Sequence, residues 1–331
     1  MTTLWDRWAM TGISQEARPG WDSRWLDLDG PVRYLDFGGP ADGPVIVCVH
    51  GLGGSAVNWA AIAPLLTDRY RVFAPDLAGH GLTQSRGRGT DVAANRALLH
   101  RFIQKMAAGP VLLMGNSMGG MISLLEASAA PGTVAGLILL DPALPFVPSR
   151  PDPAVTAMFA LQVLPGVGRA MMDRRRRLSP EAQVARIMSL CCVDASRIPA
   201  DVLAQHVDVA RERRGFTGID RDYTASIRSV MATAGRLRGQ SYRRAISTIQ
   251  CPVLLLHGER DRLVPVAAAR AAARTHPAWS VVEMPDVGHV PQLEASADTA
   301  RLITAWLGSA GQRAAQEATV SERSDPLAQA Q

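Results

Sequence analysis

Gly115-Asn116-Ser117-Met118-Gly119 lies between a short apolar run, residues 110–114, and a segment of helical composition, residues 120–127. The apolar run predicts a buried strand, so the pentapeptide falls at a strand-to-helix junction. A serine with glycine two positions away on each side, at such a junction, is typical of a nucleophile elbow. The turn is so tight that only small residues fit beside it, and it lifts the serine hydroxyl clear of the sheet. Ser117 is therefore the candidate nucleophile.

Short apolar runs alternate with helical segments on both sides of this pentapeptide. Residues 45–49 are apolar at every position, as expected of a strand buried on both faces, while residues 32–37 alternate and predict an antiparallel strand. The other predicted strands are residues 70–74, 110–114, 136–140, 253–257 and 279–284, with helices between them such as residues 91–106 and 267–275. This order predicts the α/β class with a mostly parallel sheet and flanking helices.

The alternation stops after Leu140. A proline-rich stretch is followed by about a hundred residues of helical composition, and strands resume only at Cys251. We therefore expect residues 1–142 and 247–308 to form the core and residues 143–246 to form a helical insertion. Residues 309–331 contain too little apolar surface to fold alone, so we expect them to be a disordered tail.

Composition limits the possible partners. The chain has 331 residues and a formal net charge of +5, with hydrophobic and charged fractions of 47% and 20% that are ordinary for a globular protein. The basic excess is concentrated in the arginine run at residues 174–177, which we interpret as a solvated helix face. No aromatic residues interleave with it, so no nucleic-acid partner is expected.

Other classes of site find little support in the sequence. The four cysteines lack the spacing of metal ligands, so no metal is expected. No run is apolar enough to cross a membrane, and the N-terminus lacks the apolar centre of a signal peptide, so we expect a cytoplasmic protein. Trp5 and Trp8 could pack on the body, on a second subunit or on a membrane surface, and the oligomeric state stays open.

A serine nucleophile needs a base, and the base needs an orienting acid. Asp261 follows the strand predicted at residues 253–257, and His289 follows the strand predicted at residues 279–284. The carboxyl ends of parallel strands lie along one edge, so both side chains can converge on Ser117. The order Ser, Asp, His is also the one expected with this elbow. Asp141 follows an earlier strand and is the alternative acid, although we favour Asp261.

Several other polar residues have structural interpretations. His50 is expected to brace the loop that follows it, His80 to be structural, and His257 to be a buried histidine at a strand end. Asp76 is expected to anchor a turn. Asn116 could contact substrate, but a hydrogen bond within the elbow explains it equally well.

Hydrolysis of an acyl group also needs donors for the tetrahedral oxyanion. The glycine-rich loop at residues 50–54 follows a predicted strand end, and its glycines let backbone amides approach a substrate closely. The amides of Leu52 and Met118 are the favoured donors, with Gly53 as the fallback. Each donor lowers the barrier by about 3 kcal/mol.

Five ordered motifs carry a family resemblance. They are His50-Gly51-Leu52-Gly53, residues 75–81, residues 115–120, residues 258–265 and Gly288-His289. Together they make the chain resemble an α/β-hydrolase with a helical cap. The resemblance implies an eight-stranded sheet with the cap after the sixth strand, and no cofactor.

The nucleophile narrows the chemistry that this resemblance implies. Haloalkane dehalogenases and epoxide hydrolases carry aspartate where this chain has Ser117. Residues 116–120 resemble hydrolases that cleave carbon–carbon bonds in ring-fission products, but those follow the catalytic histidine with tryptophan, and here Val290 follows His289. We therefore favour a serine esterase acting on a small-molecule, largely apolar ester. The alternatives are a carbon–carbon hydrolase of a dienone acid and a non-catalytic ligand-binding protein of the same fold.

Overall fold

The computed structural model describes residues 21–145, 152–162, 164, 166–235 and 239–323. The N-terminal segment that contains Trp5 and Trp8 lies outside the described residues, as do residues 324–331.

One mixed sheet of eight strands forms the centre of the fold, in the order β1-β2-β4-β3-β5-β6-β7-β8. β1 and β2 pair antiparallel with each other, β2 pairs antiparallel with β4, and the remaining neighbours are parallel. The predicted fold class and strand number are therefore confirmed. The strands are β1 Asp22–Asp27, β2 Pro31–Gly38, β3 Val45–Val49, β4 Arg71–Pro75, β5 Val111–Asn116, β6 Val134–Leu140, β7 Val253–Gly258 and β8 Ser280–Met284.

The apolar run in β3 has a simple structural reason. Val47 and Val49 pack in the core on one face of the sheet, while Ile46 and Cys48 pack in the core on the other. Because successive side chains of a strand point to opposite faces, a central strand covered by helices on both sides needs apolar residues throughout. β1 is the opposite case, since its residues are exposed or half-buried and leave no such pattern in the sequence.

Helices of the core cover both faces of the sheet. They are α1 Val92–Met106, α2 Met118–Ala129, α9 Val266–Thr275, the short α10 Pro291–Glu294 and α11 Ser296–Arg323. Asp91 caps α1 by accepting a hydrogen bond from the amide of Ala94, which ends the loop after β4. In the described part of the chain, no helix is both long and apolar enough to cross a membrane.

The predicted helical insertion after the sixth strand is confirmed. Between β6 and β7 the described residues form helices and no strand: α3 Pro153–Gln162, α4 Val167–Arg176, α5 Pro180–Cys191, α6 Ala200–Arg213, α7 Ile219–Ala234 and α8 Gly239–Ser247. α8 packs against α2 of the core, and the Tyr242 hydroxyl donates to the carbonyl of Ala143 at 3.1 Å. The contact between α8 and α2 thus fixes the C-terminal end of the insertion to the core.

The last core helix extends into the segment that we expect to be a disordered tail. The backbone is helical past residue 308 as far as Arg323, because α11 continues through residues 309–323. Ile303 and Trp306 anchor the first turns in the core. The following residues are rich in Ala, Gln, Glu and Arg, which are strong helix formers, and adding a residue to an existing helix is far easier than starting one.

Candidate active site

Ser117 occupies the turn between β5 and α2 in a conformation that only a few residues tolerate. Its φ and ψ angles are 54° and −118°, a strained region for any residue with a side chain. Hydrogen bonds hold it there, since its amide donates to the carbonyl of Leu140 and its carbonyl accepts from the amide of Ala143, at 3.1 and 2.9 Å. The surrounding backbone therefore imposes the elbow on the serine.

The glycines of the pentapeptide are required by close packing. A Cβ atom at Gly119 would lie 2.0 Å from the carbonyl oxygen of Val49, and one at Gly115 would lie 2.7 Å from the hydroxyl oxygen of Ser123. Neither gap admits a carbon atom, because the first turn of α2 rests directly on the end of β3.

His289 and Asp261 form a direct pair. The Nδ1 atom of His289 donates to Oδ2 of Asp261 at 2.6 Å, and both side chains are buried. The other carboxylate oxygen of Asp261 accepts from the amides of Leu263 and Val264. Because Nδ1 is occupied, Nε2 of His289 is the ring nitrogen left to accept a proton, which is the orientation that general-base chemistry needs.

The surroundings of Asp261 favour its charged form. Burial raises the pKa of this carboxyl, but the charge and hydrogen bond of His289, helped by His257, outweigh burial and leave the pKa below its ordinary value. Asp261 can therefore stay ionised and hold the imidazole in one tautomer.

Asp141, the alternative acid, lies against the same pair but is bonded elsewhere. Its Oδ1 atom accepts from the amide of Gly258 at 2.9 Å, and its Oδ2 atom is buried with no hydrogen-bond partner among the described residues. Burial, followed by the negative charge of Asp261, raises the pKa of Asp141 well above its ordinary value. The imidazole of His289 is thus bonded to Asp261 and not to Asp141.

Oxygen and nitrogen atoms of Asp141, Asp261 and His289 lie within 4.8 Å of one another, which is close enough to consider a metal site. The contact of 2.6 Å between His289 and Asp261 does not fit one. Two ligands on one zinc ion lie about 3.3 Å apart, given bonds of about 2.0 Å at tetrahedral angles. The short contact is that of a charge-assisted hydrogen bond.

Three other histidines near the site have structural surroundings. Nε2 of His50 accepts from the amide of Leu77 at 3.0 Å, so its Nδ1 donates to the carbonyl of Gly51 and braces the glycine-rich loop. Burial and the charge of His50 lower the pKa of His80 to about 3. His257 is buried at the end of β7, where its Nε2 donates to the carbonyl of Val264.

Asn116 holds the histidine loop against the sheet. Its side-chain amide donates to the carbonyls of Leu140 and His289, each at 3.0 Å. Both donor hydrogens are therefore used on backbone, although the residue also lines the cavity described below. These bonds give Asn116 a positioning role, and both of them run to backbone carbonyls outside the elbow.

The candidate oxyanion donors lie beside Ser117. A Cβ atom at Gly51 would be 3.1 Å from Cβ of Ser117, so the loop after β3 crosses directly over the elbow. The amides of Leu52 and Met118 have no acceptor within the described part of the chain. Gly53 follows Leu52 with a positive φ of 72°. These amides are therefore available to a ligand.

A single cavity of about 1210 Å³ brings the candidate residues together under the insertion. Ser117 and His289 line its floor with the loop residues Leu52 and Gly53 and with Met118, while apolar side chains of the insertion, such as Met172, form its roof. Asp261 lies behind His289, away from the cavity. The volume exceeds the roughly 300–1,000 Å³ usual for small-molecule sites. Met158 of the insertion also lines the cavity.

Two contacts that the sequence does not predict tie the insertion to the histidine loop. The amide of His289 donates to the carbonyl of Cys191, at the end of α5. Glu294, which is buried, accepts from the amides of Gly288 and Asp194, each at 2.8 Å. No local sequence pattern predicts the contact between Glu294 and Asp194, because the two residues are 100 positions apart. The two contacts couple the position of His289 to that of the insertion.

Known proteins of similar sequence and structure include several hydrolases. A pimeloyl-[acyl-carrier protein] methyl ester esterase from Methylococcus capsulatus is 28% identical over 271 residues, which cover 81% of this chain and 96% of that protein. A dihydrolipoyllysine-residue acetyltransferase component of the acetoin cleaving system from Cupriavidus necator is 29% identical over 288 residues, which cover 86% of this chain and 69% of that protein.

Solved structures agree on the fold. A putative lipase from Acinetobacter baumannii superposes with a TM-score of 0.71 at 24% identity, covering 89% of this chain and 93% of that one. A serine hydrolase involved in carbazole degradation superposes with a TM-score of 0.65 at 23% identity, covering 87% of this chain and 99% of that one. The family model described as "alpha/beta hydrolase fold" matches residues 44–296. The chain therefore belongs to the alpha/beta hydrolase fold family.

Proposed function

We propose that this chain is a serine hydrolase that cleaves the carboxylic ester of a small or medium, largely apolar molecule. The observation that carries the proposal is the buried pair of His289 and Asp261, which opens onto the cavity that also holds Ser117. A serine in a strained elbow, a histidine with one free ring nitrogen and an ionised acid are the parts that acyl transfer requires.

The proposed reaction has two halves. Nε2 of His289 takes the proton of the Ser117 hydroxyl as its oxygen attacks the ester carbonyl, and the amides of Leu52 and Met118 hold the oxyanion. The alcohol then leaves with the proton from His289, and the acyl group stays on Ser117. Water, deprotonated by His289, releases the acid in the same way. Asp261 holds the imidazole throughout, and neither a cofactor nor a metal takes part in these steps.

The relatives and the cavity support this assignment. The similarity to a methyl ester esterase spans most of both chains. The cavity is lined mainly by apolar side chains of the insertion, such as Val184, Ile187 and Met188, which suits an apolar acyl or alcohol group.

The test is hydrolysis of p-nitrophenyl esters of short fatty acids by Ser117→Ala. We expect kcat/KM to fall by about 10³-fold or more, because the attacking oxygen is lost, while the unfolding transition stays unchanged. Ser128→Ala is the matched control, since Ser128 lies on the same helix and its hydroxyl bonds to Thr248 outside the cavity. Equal activity of both variants would refute the proposal and favour a non-catalytic binding protein.

Carbon–carbon hydrolysis is the second candidate, supported by the resemblance of residues 116–120 to such hydrolases. Turnover of a ring-fission dienone acid, measured beside that of a simple ester, separates the two. We expect the ester to be the better substrate, and a dienone preferred by more than tenfold would reverse the order of the two candidates.

A further inference from the structure

Tyr223 places the insertion directly against the oxyanion loop. A Cβ atom at Gly53 would lie 3.0 Å from Cε2 of Tyr223, so the edge of the ring packs on the glycine. Tyr223 also lines the cavity that contains Ser117. Gly51 of the same loop lies against Ser117, so Tyr223 packs on the loop that borders the nucleophile.

Arg175 lies next to this ring on the cavity wall. Its Cζ atom is 5.6 Å from the centroid of the Tyr223 ring, within range of a cation–π contact. It occupies the last turn of α4 and is half-buried. In the described part of the chain, no carboxylate lies within ion-pair distance of its guanidinium.

The neighbouring arginines of the cavity are already engaged. Arg176 pairs with Asp220, and Arg262 pairs with Asp152 at 2.9 Å. Arg175 differs from both because its partner among the described residues is Tyr223, through the ring and a side-chain hydrogen bond. A guanidinium has five N–H donors, so this contact leaves others for an anion.

Arg213 makes this part of the cavity more positive. It is a lining residue whose guanidinium donates to the carbonyls of Gly79 and Gly81. Burial lowers the pKa of Arg213, Asp76 opposes this effect, and the charge of Arg175 lowers the pKa further, so the two cations are close enough to repel. Asp222 in turn raises the pKa of Arg213, so the repulsion between the two cations is partly offset, and an anion bound near Arg175 would reduce it further.

We propose that Arg175, together with Tyr223, binds a carboxylate of the substrate whose ester group is attacked by Ser117. The planar fork of a guanidinium matches both oxygens of a carboxylate. A single negative charge suits the site, because the donors of Arg213 are already used on backbone carbonyls. This inference rests on the proposed ester hydrolysis and names its substrate class, the half-esters of dicarboxylic acids.

The test compares monomethyl and dimethyl esters of adipic, pimelic and suberic acids. We expect Arg175→Gln to lower the preference for the half-ester, measured as the ratio of the two kcat/KM values, by about 10- to 100-fold, as expected for a lost charge-assisted hydrogen bond. Arg175→Lys should restore part of the ratio, since the charge remains without the fork. Arg174→Gln is the matched control, because Arg174 is exposed on the same turn and does not line the cavity.

A second readout separates this inference from the proposed function. In Ser117→Ala, calorimetry measures half-ester binding without turnover, and adding Arg175→Gln should weaken that binding by a similar factor. The inference is overturned if Arg175→Gln and Arg174→Gln change the ratio equally, or if the wild-type protein does not prefer half-esters. The proposed function fails independently if Ser117→Ala still hydrolyses the dimethyl esters.

Discussion

Asp141→Asn tests the electrostatics of the candidate site most simply. Asp141 is fully buried against Asp261, and one of its oxygens has no hydrogen-bond partner among the described residues. Burial and the negative charge of Asp261 raise its pKa well above the ordinary value of 3.8. Between the unfolded and folded pKa values, Asp141 is therefore a neutral acid in the folded protein and a carboxylate in the unfolded chain. Asparagine keeps its shape and its neutral state in the fold.

The expected magnitude follows from proton linkage. Because the folded state holds a proton that the unfolded state has lost, the free energy of unfolding falls as pH rises through this window. The loss amounts to about 1.4 kcal/mol for each pH unit between the unfolded and folded pKa values. The variant carries no such group, so two pH units within the window should improve its stability relative to wild type by about 2.7 kcal/mol.

The assay is urea unfolding of the wild-type protein and the variant at half-unit steps from pH 4.5 to 8. The difference between the two curves should grow with pH and then become constant, and the pH at which it does so gives the pKa of Asp141 in the fold. Asp298→Asn, an exposed acid on α11, controls for the loss of one acidic side chain. A variant that is less stable than wild type by the same amount at every pH would show that Asp141 is ionised in the fold and would refute this reasoning.

Two further predictions concern the packing and ion pairing around the site. Asp76 is buried and bonds Arg33 at 3.2 Å, so Asp76→Ala should cost about 3–5 kcal/mol in urea unfolding by leaving a buried cation unpaired, and a loss below about 1 kcal/mol would contradict this role. Gly119→Ala should destabilise by at least about 1–3 kcal/mol, because the added methyl group would meet the carbonyl oxygen of Val49 at 2.0 Å. Gly132→Ala, which has open space around it, is the control, and equal losses in the two alanine variants would refute the packing argument.

The sequence predicts the central sheet well because buried parallel strands leave continuous apolar runs. β3 is such a strand, with both faces covered. β1 escapes prediction because it pairs at the sheet edge with exposed side chains, so neither burial nor alternation marks it. The length of α11 is not predicted for another reason. Its continuation past residue 308 depends on a helix that has already started in the core.

Short sequence motifs also predict the candidate catalytic residues. They do not predict the contacts that the insertion makes with them. Ser117, Asp261 and His289 each follow a strand, so the topology of a parallel sheet is enough to bring them to one edge. The contact of Tyr223 with Gly53 joins segments more than a hundred residues apart in the sequence. The hydrogen bond from the amide of Asp194 to Glu294 joins residues that are 100 positions apart. Such contacts depend on how the insertion folds over the sheet, which no pattern in the insertion specifies.

Ser117 should react as an activated nucleophile, with His289 as its base. The most direct measurement is the intact mass of the protein after treatment with a fluorophosphonate, followed by peptide mapping. We expect one adduct, on Ser117, formed at least about 100-fold more slowly in His289→Ala because the base is lost. Modification that does not map to Ser117, or that proceeds at the wild-type rate in His289→Ala, would contradict it.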